Sequence, residues 1–537
     1  MTRTHTNRIR SAAAALALAG GLGAAQAQTF QRFSGTGEDE IPYDIEETLD
    51  GGYITAGMRT GKFGTAAAAD PSDFLVTKYD KDGVPMWATQ FGASRADVAY
   101  SVHPTLDGGY IVAGMTESTG PVLGLALVRL DPFGTVLWAR AYPGDVFTEL
   151  FNPAPDGTPP QVAVRESRET GEFMVTTNAR NAVGGQLGVY LRTDSMGFPL
   201  VHATYSLPMF GALTQMDFAD IKELPDLSMV ITGFVDINGV DSPFGLPQDF
   251  DVLGMRISPS GVPIWAAAYG QPNIFAREAG YGIDVDPNGG RAVIGAGADF
   301  VTGTFGTQHL WIDAPTGALV LANQFEGATP AYSATRFDGH LNVVTAGQDY
   351  FLGVPMHGKA FGVSFDFAGG FRWMWAYGPP SPLTDRATTV APISLGECGY
   401  IFAGPKDYAL GLGRYDNHLI KTNDAGSSGC CEDAWQVPVQ YPALREVPLD
   451  FDVQYNDEWT NWGEQVDVAM DDVVRCYSPK CKPCPIDLDG NGVFNLDDVN
   501  YFVIYFTGGD ARADLTCDGV INLDDINKFV ALIGLGC

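Results

Sequence analysis

The sequence predicts an all-β chain, a seven-bladed β-propeller of four-stranded antiparallel blades, followed by a small α-helical domain with paired calcium loops. Three observations carry this. A turn, Asp-x-x-Gly or a polar variant, recurs with glycines at 83, 134, 197, 261, 317, 369 and 426, so successive copies lie 51, 63, 64, 56, 52 and 57 residues apart. Four residues after these glycines stand Trp87, Trp138, Val201, Trp265, Leu321 and Trp373, and four further on Phe91, Tyr142, Tyr205, Tyr269, Phe325 and Tyr377. Upstream of most turns lies a β-rich run ending in small residues, such as Gly52-Tyr-Ile-Thr-Ala-Gly57 and Gly109-Tyr-Ile-Val-Ala-Gly114.

Taken in order, residues 1–27 hold Arg3, Arg8 and Arg10, an apolar run over 11–24 and Ala25-Gln26-Ala27. This is the pattern of a secretory signal cleaved before Gln28, which predicts a secreted or cell-surface protein. No other apolar run approaches the roughly 18 residues needed to cross a bilayer.

The propeller is expected over 28–435. Offsets of four are even in a strand, so both large side chains of a unit face the same way and can wedge between neighbouring sheets. With a further short run before each of these, as at residues 99–105, every unit offers about four strands, the content of one radial blade. The seventh unit breaks the pattern, with Cys430 at the Trp position and Ala434 at the aromatic position. Residues 29–35 read as a fourth strand with no preceding three, so they are expected to pair with the last unit and close the ring. Residues 436–483 lose the pattern and read as a linker or a small β appendage.

From 484 to 537 the period changes to 3.6. Asp487, Asp489, Asn491, Val493, Asn495 and Asp498 stand at positions 1, 3, 5, 7, 9 and 12 of a loop with Gly492 at position 6. Asp514, Thr516, Asp518, Val520, Asn522 and Asp525 repeat it 27 residues later. Side-chain oxygens with a backbone carbonyl at position 7 are what Ca2+, a hard cation taking six to eight oxygens, requires. Two calcium sites are expected, the second weaker because Thr516 replaces an acid. After each loop, Val499, Phe502, Val503 and Phe506, then Ile526, Phe529, Val530 and Ile533, keep the spacing of an amphipathic helix.

The formal charge is −32, and removing a signal with three Arg and no acid makes it −35. Such a surface repels nucleic acid and anionic lipid. All eight cysteines (398, 430, 431, 476, 481, 484, 517, 537) lie in the last third. In an exported chain disulfides are the default, with connectivity open among 105 pairings. A clasp between Cys484 and Cys537 is one possibility. Cys481-x-x-Cys484 lacks a second such pair or a nearby His to complete a zinc site. Catalytic signatures are absent: there is no His-Glu-x-x-His, Gly-x-Ser-x-Gly or phosphate loop, and the seven histidines show no metal spacing. His103 and His202 read as core or channel residues. No catalytic residue is assigned.

The propeller repeats resemble those of secreted bacterial propellers with Asp-Gly-Gly-Tyr-Ile-Val-Ala-Gly units and, more loosely, tryptophan-docking propellers. The loops and helices of 484–537 resemble a type I dockerin, in the variant that ends planctomycete-type exported proteins with Gly-Cys, here Gly536-Cys537. The resemblance implies a cohesin-like receptor or a cell-surface anchor as partner. Cellulosomal dockerins carry a Ser-Thr-like pair at loop positions 10 and 11. Leu496-Asp497 and Leu523-Asp524 stand there instead and point to a differently specified partner. The expected function is a non-enzymatic binding or scaffold protein whose propeller takes a polysaccharide or protein ligand. The alternatives are a carbohydrate-active hydrolase or lyase on the propeller, and a structural surface-layer or adhesion component.

Overall fold

The computed structural model describes residues 29–474 apart from 37, 61–71, 94, 119–122, 148–161, 181–184, 209–214, 238–248, 272–276, 300–304, 327, 350–358, 379–386, 395–398, 408–414, 430–431, 435–438, 443, 456–459, 462–463 and 469–470; beyond these it describes 496–508, 513, 526 and 529. Residues 29–481 form one compact unit, and residues 482–537 belong to another. Residues 1–28, where a secretory signal is expected, and all eight cysteines lie outside the described residues.

The first unit is a seven-bladed β-propeller of antiparallel blades. Blades 1 to 6 span residues 39–92, 97–147, 163–206, 216–270, 277–326 and 328–377, each a four-strand meander. Blade 7 takes three strands from 389–422 and its fourth from the N-terminus, where Phe30–Gly35 pairs antiparallel with Tyr415–Thr422. The expected ring closure is therefore present, with Phe33 opposite His418 and stacked on its ring at 4.4 Å.

The recurring turn joins the third and fourth strands of blades 1 to 6 and follows the third strand of blade 7. At Asp80 the carboxylate accepts the amides of Asp82 and Val84, and Gly83 takes φ +77°. That is a type I turn closed by a left-handed residue, the three-residue hairpin loop that favours glycine. Each turn packs on the preceding blade. Trp87 lies against Gly134, Trp138 against Gly197, Trp265 against Gly317 and Trp373 against Gly426. At the closure Phe30 takes the Trp place against Gly83.

The second aromatic of each unit donates its hydroxyl to the same glycine's carbonyl. Tyr142 bonds Gly197 O at 2.7 Å, Tyr205 bonds Gly261 O at 2.7 Å, Tyr377 bonds Gly426 O at 2.8 Å, and Tyr269 bonds Gly317 O. Phe91 and Phe325 have no hydroxyl to give. In those blades Thr89 Oγ1 donates to Gly134 O at 3.0 Å and Asn323 Nδ2 to Gly369 O at 3.4 Å. Apolar clusters fill the spaces between successive blades, for example Tyr205, Phe218, Ile231 and Leu253 between blades 3 and 4.

The chain after blade 7 returns to the sheets instead of forming a separate appendage. Glu432–Ala434 adds a fifth strand to the outer edge of blade 6, and Gln440 bridges Gln324 of blade 5. Arg445–Pro448 then pairs with blade 4, Asp452–Tyr455 with blade 3, Thr460–Asn461 with blade 2 and Glu464–Val468 with blade 1. Asp471–Val474 finally pairs with Phe30–Gly35 of blade 7. The segment runs antiparallel to every outer strand, so it visits the blades in reverse order. Six blades thus have five strands rather than the expected four.

Two kinds of substitution separate the parts of the blade contact. Tyr205→Phe is expected to cost about 1 kcal/mol, the net worth of one buried hydrogen bond. Gly317→Ala is expected to cost about 2–5 kcal/mol, since it adds a side chain at φ +79° with a Cβ 2.6 Å from Trp265 Cε3. Denaturant unfolding measures both, and equal losses would contradict this account.

Candidate functional site

The innermost strands meet in a buried cluster of ions. Asp44 of blade 1 accepts Ser101 Oγ of blade 2 at 3.0 Å and Thr389 Oγ1 of blade 7 at 3.2 Å. Arg165 of blade 3 donates to Asp220 of blade 4 at 3.2 Å, and Asp220 also accepts the Ile283 amide of blade 5 at 3.2 Å. Arg336 of blade 6 lies 3.4 Å from Asp220, 3.6 Å from Glu46 and 4.0 Å from Asp44. Lys222 lies 3.6 Å from Asp284. All seven blades contribute to this hub, and the contacts of Arg336 reach blades 1 and 4 across the ring.

Register explains the convergence. Glu46, His103, Arg165, Lys222, Asp284 and Arg336 each stand two residues before the turn that ends the innermost strand of their blade. Asp44, Ser101 and Asp220 stand two residues earlier and so on the same face. In blades 1, 2 and 4 a register shift immediately precedes them. Burial raises the Asp44 carboxyl to about 6, helped by Glu46 and opposed by Arg165 and Arg336. Burial also pushes Asp220 upward, but Arg165, Arg336 and Lys222 outweigh it and leave the carboxyl below its usual range. His103 is held well below its usual range by burial and the surrounding cations, chiefly Arg165. The hub carboxylates are therefore spent on internal partners, and Asp44 and Asp220 are fully buried.

A second set of buried acids lies at the blade crossings. Glu40 accepts the Thr36 amide at 3.2 Å, Asp97 that of Ala93 at 2.8 Å and Glu278 that of Gln271 at 2.8 Å. Each donor follows a glycine (Gly35, Gly92, Gly270) packed against an Asp of the third strand (Asp416, Asp73, Asp251). A side chain at those glycines would collide with the carboxyl. Burial raises Glu40 and Glu278 to about 7 and Asp97 and Asp251 to about 6. Arg59 opposes the shift at Glu40, and Arg445 opposes it at Asp251.

The two ends of the propeller differ. At one end the first and second strands, and the third and fourth, are joined by tight turns such as 80–84 and 131–135. Adjacent blades are clamped there: Glu47 accepts the Ser394 amide at 2.8 Å, Glu166 that of Leu106 at 2.6 Å and Glu223 that of Arg168 at 2.9 Å. Connections at the opposite end are longer, including 61–72, 148–162, 237–249, 350–359 and 378–388.

Of the calcium ligands read from the sequence, only Asp498 falls in a described element, the helix Leu496–Gly508. Asp487, Asp489, Asn491, Val493, Asn495, Asp514, Thr516, Asp518, Val520, Asn522 and Asp525 lie outside the described residues. Phe502 and Phe529, one from each expected helix, stack at 3.9 Å and 5°. Val499 and Phe506 pack beside them. Val503, expected on the same face, is 51% exposed, since it sits at the margin of the stripe set by 499, 502 and 506. Among the described residues no group of three or more His, Cys, Asp or Glu could hold a metal ion, and no helix is long and apolar enough to cross a membrane. His202 is a buried residue, as expected, and His103 belongs to the hub. The hub itself was missed. Its signal is the charge recurring two residues before successive inner turns.

No family model matches the chain, and no curated protein matches it. Among solved structures, polysaccharide lyase Uly1 is 10% identical with a TM-score of 0.41, covering 74% of this chain and 99% of its own. A protein of unknown function from Dyadobacter fermentans is 11% identical with a TM-score of 0.39, covering 74% and 98%. The Penicillium chrysogenum alpha-L-arabinanase complexed with arabinobiose is 10% identical with a TM-score of 0.37, covering 60% and 92%. Likenesses of this size carry no argument about chemistry.

Two measurements check the electrostatics. Between about pH 4.5 and 7 the folded chain keeps protons on Glu40 and Glu278 that the unfolded chain releases, so these groups contribute stability at low pH that is lost as pH rises through this window. Glu278→Gln is expected to make the decline shallower, as read from unfolding midpoints at pH 5 and pH 8. At the hub, Asp220→Asn leaves Arg165 and Arg336 without their shared anion and is expected to cost about 3–5 kcal/mol in denaturant unfolding.

Proposed function

We propose that this chain is an exported, non-enzymatic binding protein that presents the long-connection end of its propeller to a polysaccharide. A dockerin-like pair of calcium loops then holds it on a cohesin-like receptor or cell-surface anchor. The observation that carries the reading is the contrast between the middle of the ring and its two ends. Asp44 and Asp220 at the hub are fully buried and engaged by arginines and backbone amides, and the partly buried Glu46 and Asp284 are paired with Arg336 and Lys222, which suits them poorly to the paired, substrate-touching acids of glycoside hydrolysis. Clamps between blades and tight turns occupy one end. The other end has the long connections on which binding residues are usually carried by a rigid scaffold. The docking part rests on the ligand spacing of 487–498 and 514–525 and on the two helical stretches that follow it.

A glycan array with the calcium-loaded full-length protein is expected to give selective retention, with no new reducing ends or unsaturated products in the bound polysaccharide. Appearance of such products would establish the enzyme instead. Calcium titration of the full chain is expected to find two sites, the tighter lost in Asp487→Ala and the weaker in Asp514→Ala.

A further inference from the structure

Four of the inner strands carry one residue more than the strand they pair with, at the same level in each. The pairing skips Tyr43 in blade 1, Tyr100 in blade 2, Ala219 in blade 4 and Tyr281 in blade 5. An inner strand has its neighbour on one side and the middle of the ring on the other, so a residue left out of the ladder can turn toward that middle. Each of the four stands directly before the hub level, where Asp44, Ser101, Asp220 and Gly282 follow. A layer with three tyrosines thus adjoins the ion hub on the side away from the tight turns.

The layer is wetted although its surroundings are not. Tyr43 and Tyr281 are half-buried, whereas Asp44, Ile45 and Ile283 beside them in the chain are fully buried. The hub closes the middle of the ring from the tight-turn end, since Asp44 and Asp220 have no exposure and Arg165 and Arg336 almost none. Water therefore reaches the two rings from the end that bears the long connections. Tyr43 lies 5.0 Å from Tyr100 at 46°, which makes a corner of two aromatic faces. Tyr281 lies over Gly297, where a Cβ would meet its Cε2 at 2.7 Å. Arg336, drawn to the hub level by Asp220 at 3.4 Å, has Nε and Nη2 without a hydrogen-bond acceptor among the described residues.

These features select a ligand. Aromatic faces carry partial negative charge and attract the C–H groups that a sugar ring presents on its flat side, and the unmet guanidinium donors suit its hydroxyl oxygens. Burial, with Tyr43 nearby, holds the Tyr100 phenol well above its usual range, so this ring stays neutral. The hub behind it sets four carboxyls (Asp44, Glu46, Asp220, Asp284) against three cations (Arg165, Lys222, Arg336), a balance that disfavours an acidic sugar.

We propose that this layer is the propeller's carbohydrate subsite. One uncharged sugar unit, at the end or on a branch of a polysaccharide, enters from the long-connection end, stacks in the corner of Tyr43 and Tyr100 with Tyr281 across from it, and accepts hydrogen bonds from Arg336. Ala219, at the same level in blade 4, leaves the space that a fourth tyrosine would fill. The inference rests on the polysaccharide-binding reading above and names where in the propeller the contact falls.

The test titrates calcium-loaded full-length protein with neutral hexasaccharides of glucose, mannose and xylose and with hexagalacturonate. At least one neutral chain is expected to bind. Tyr43→Ala, which removes one face, and Gly297→Ala, which displaces Tyr281, are each expected to weaken that binding about tenfold, the scale of one lost aromatic contact, with far-ultraviolet circular dichroism unchanged. In the wild-type protein the bound sugar is expected to slow nitration of Tyr43 and Tyr281 by tetranitromethane, read by mass spectrometry of their peptides. Sugar binding with both affinities and both nitration rates unchanged would overturn the subsite and leave the polysaccharide reading standing. Tighter binding of hexagalacturonate would overturn the ligand class, and binding of none of these chains would overturn the reading itself and the subsite with it.

Discussion

Everything in this propeller depends on a contact between a ring and a glycine. The turn after the third strand of each blade offers a left-handed glycine with no side chain, and the preceding blade fills that space with Trp, Leu, Val or, at the closure, Phe30. A hydroxyl or amide from the same outer strand then donates to the glycine's carbonyl. The two halves reinforce each other, because the side chain can approach only if the turn has no Cβ, and that approach brings a donor of the same strand to the turn's carbonyl. Substituting Thr89 and Asn323 where the second aromatic is Phe keeps the hydrogen bond and changes only its donor. The chemistry is conserved within the chain even where the residue is not.

That contact binds each blade to the next, and it also sets what is left over. Blades joined on their flanks leave an inner strand facing the ring's middle and an outer strand facing away. The inner faces are filled by ions that neutralise one another across the ring, with Arg165 on Asp220 and Arg336 among Asp44, Glu46 and Asp220. The outer edges are covered by the chain's own later residues. With both settled internally, the blades differ most in the length of the connections opposite the tight turns.

The legible parts were those whose chemistry is local. Asp80, Gly83, Trp87 and Phe91 lie within twelve residues, and their spacing reports a turn followed by a strand whatever they touch. Residues 29–35 were legible as a strand without partners, which in a closed ring leaves one place to go. The segment 432–474 was not legible, because its strands are two to five residues long and their partners are set by position around the ring, as when Arg32 meets Val474. Nor was the hub. A charge such as Glu46, Lys222 or Asp284 near the end of a strand reads as the solvent side of an ordinary alternation, and only the ring brings these residues together. The expected calcium loops are the reverse case, read from residues 487–498 and 514–525 and falling outside the described part of the fold except at 496–498.

Buried charge at the hub also answers a problem that repetition creates. Blades that pack through one shared contact have little in that contact to distinguish neighbour from neighbour, since Trp87 on Gly134 and Trp265 on Gly317 are nearly the same interaction. Apolar filling of the middle would add nothing to the distinction, and replacing buried ion pairs by well-packed apolar groups often leaves stability unchanged or raises it. What ions supply is intolerance of the wrong neighbour. Arg165 displaced from Asp220, or Asp220 beside Glu46 with no guanidinium between them, would leave a charge buried without compensation. The cost of such a mismatch falls on any slip of one blade against the next, an error the repeated flanking contacts alone penalise weakly. In this fold the chain's own connections set the order of the blades, the aromatic and glycine repeats make them stick, and the unlike residues at the centre penalise slips that would leave a charge unpaired.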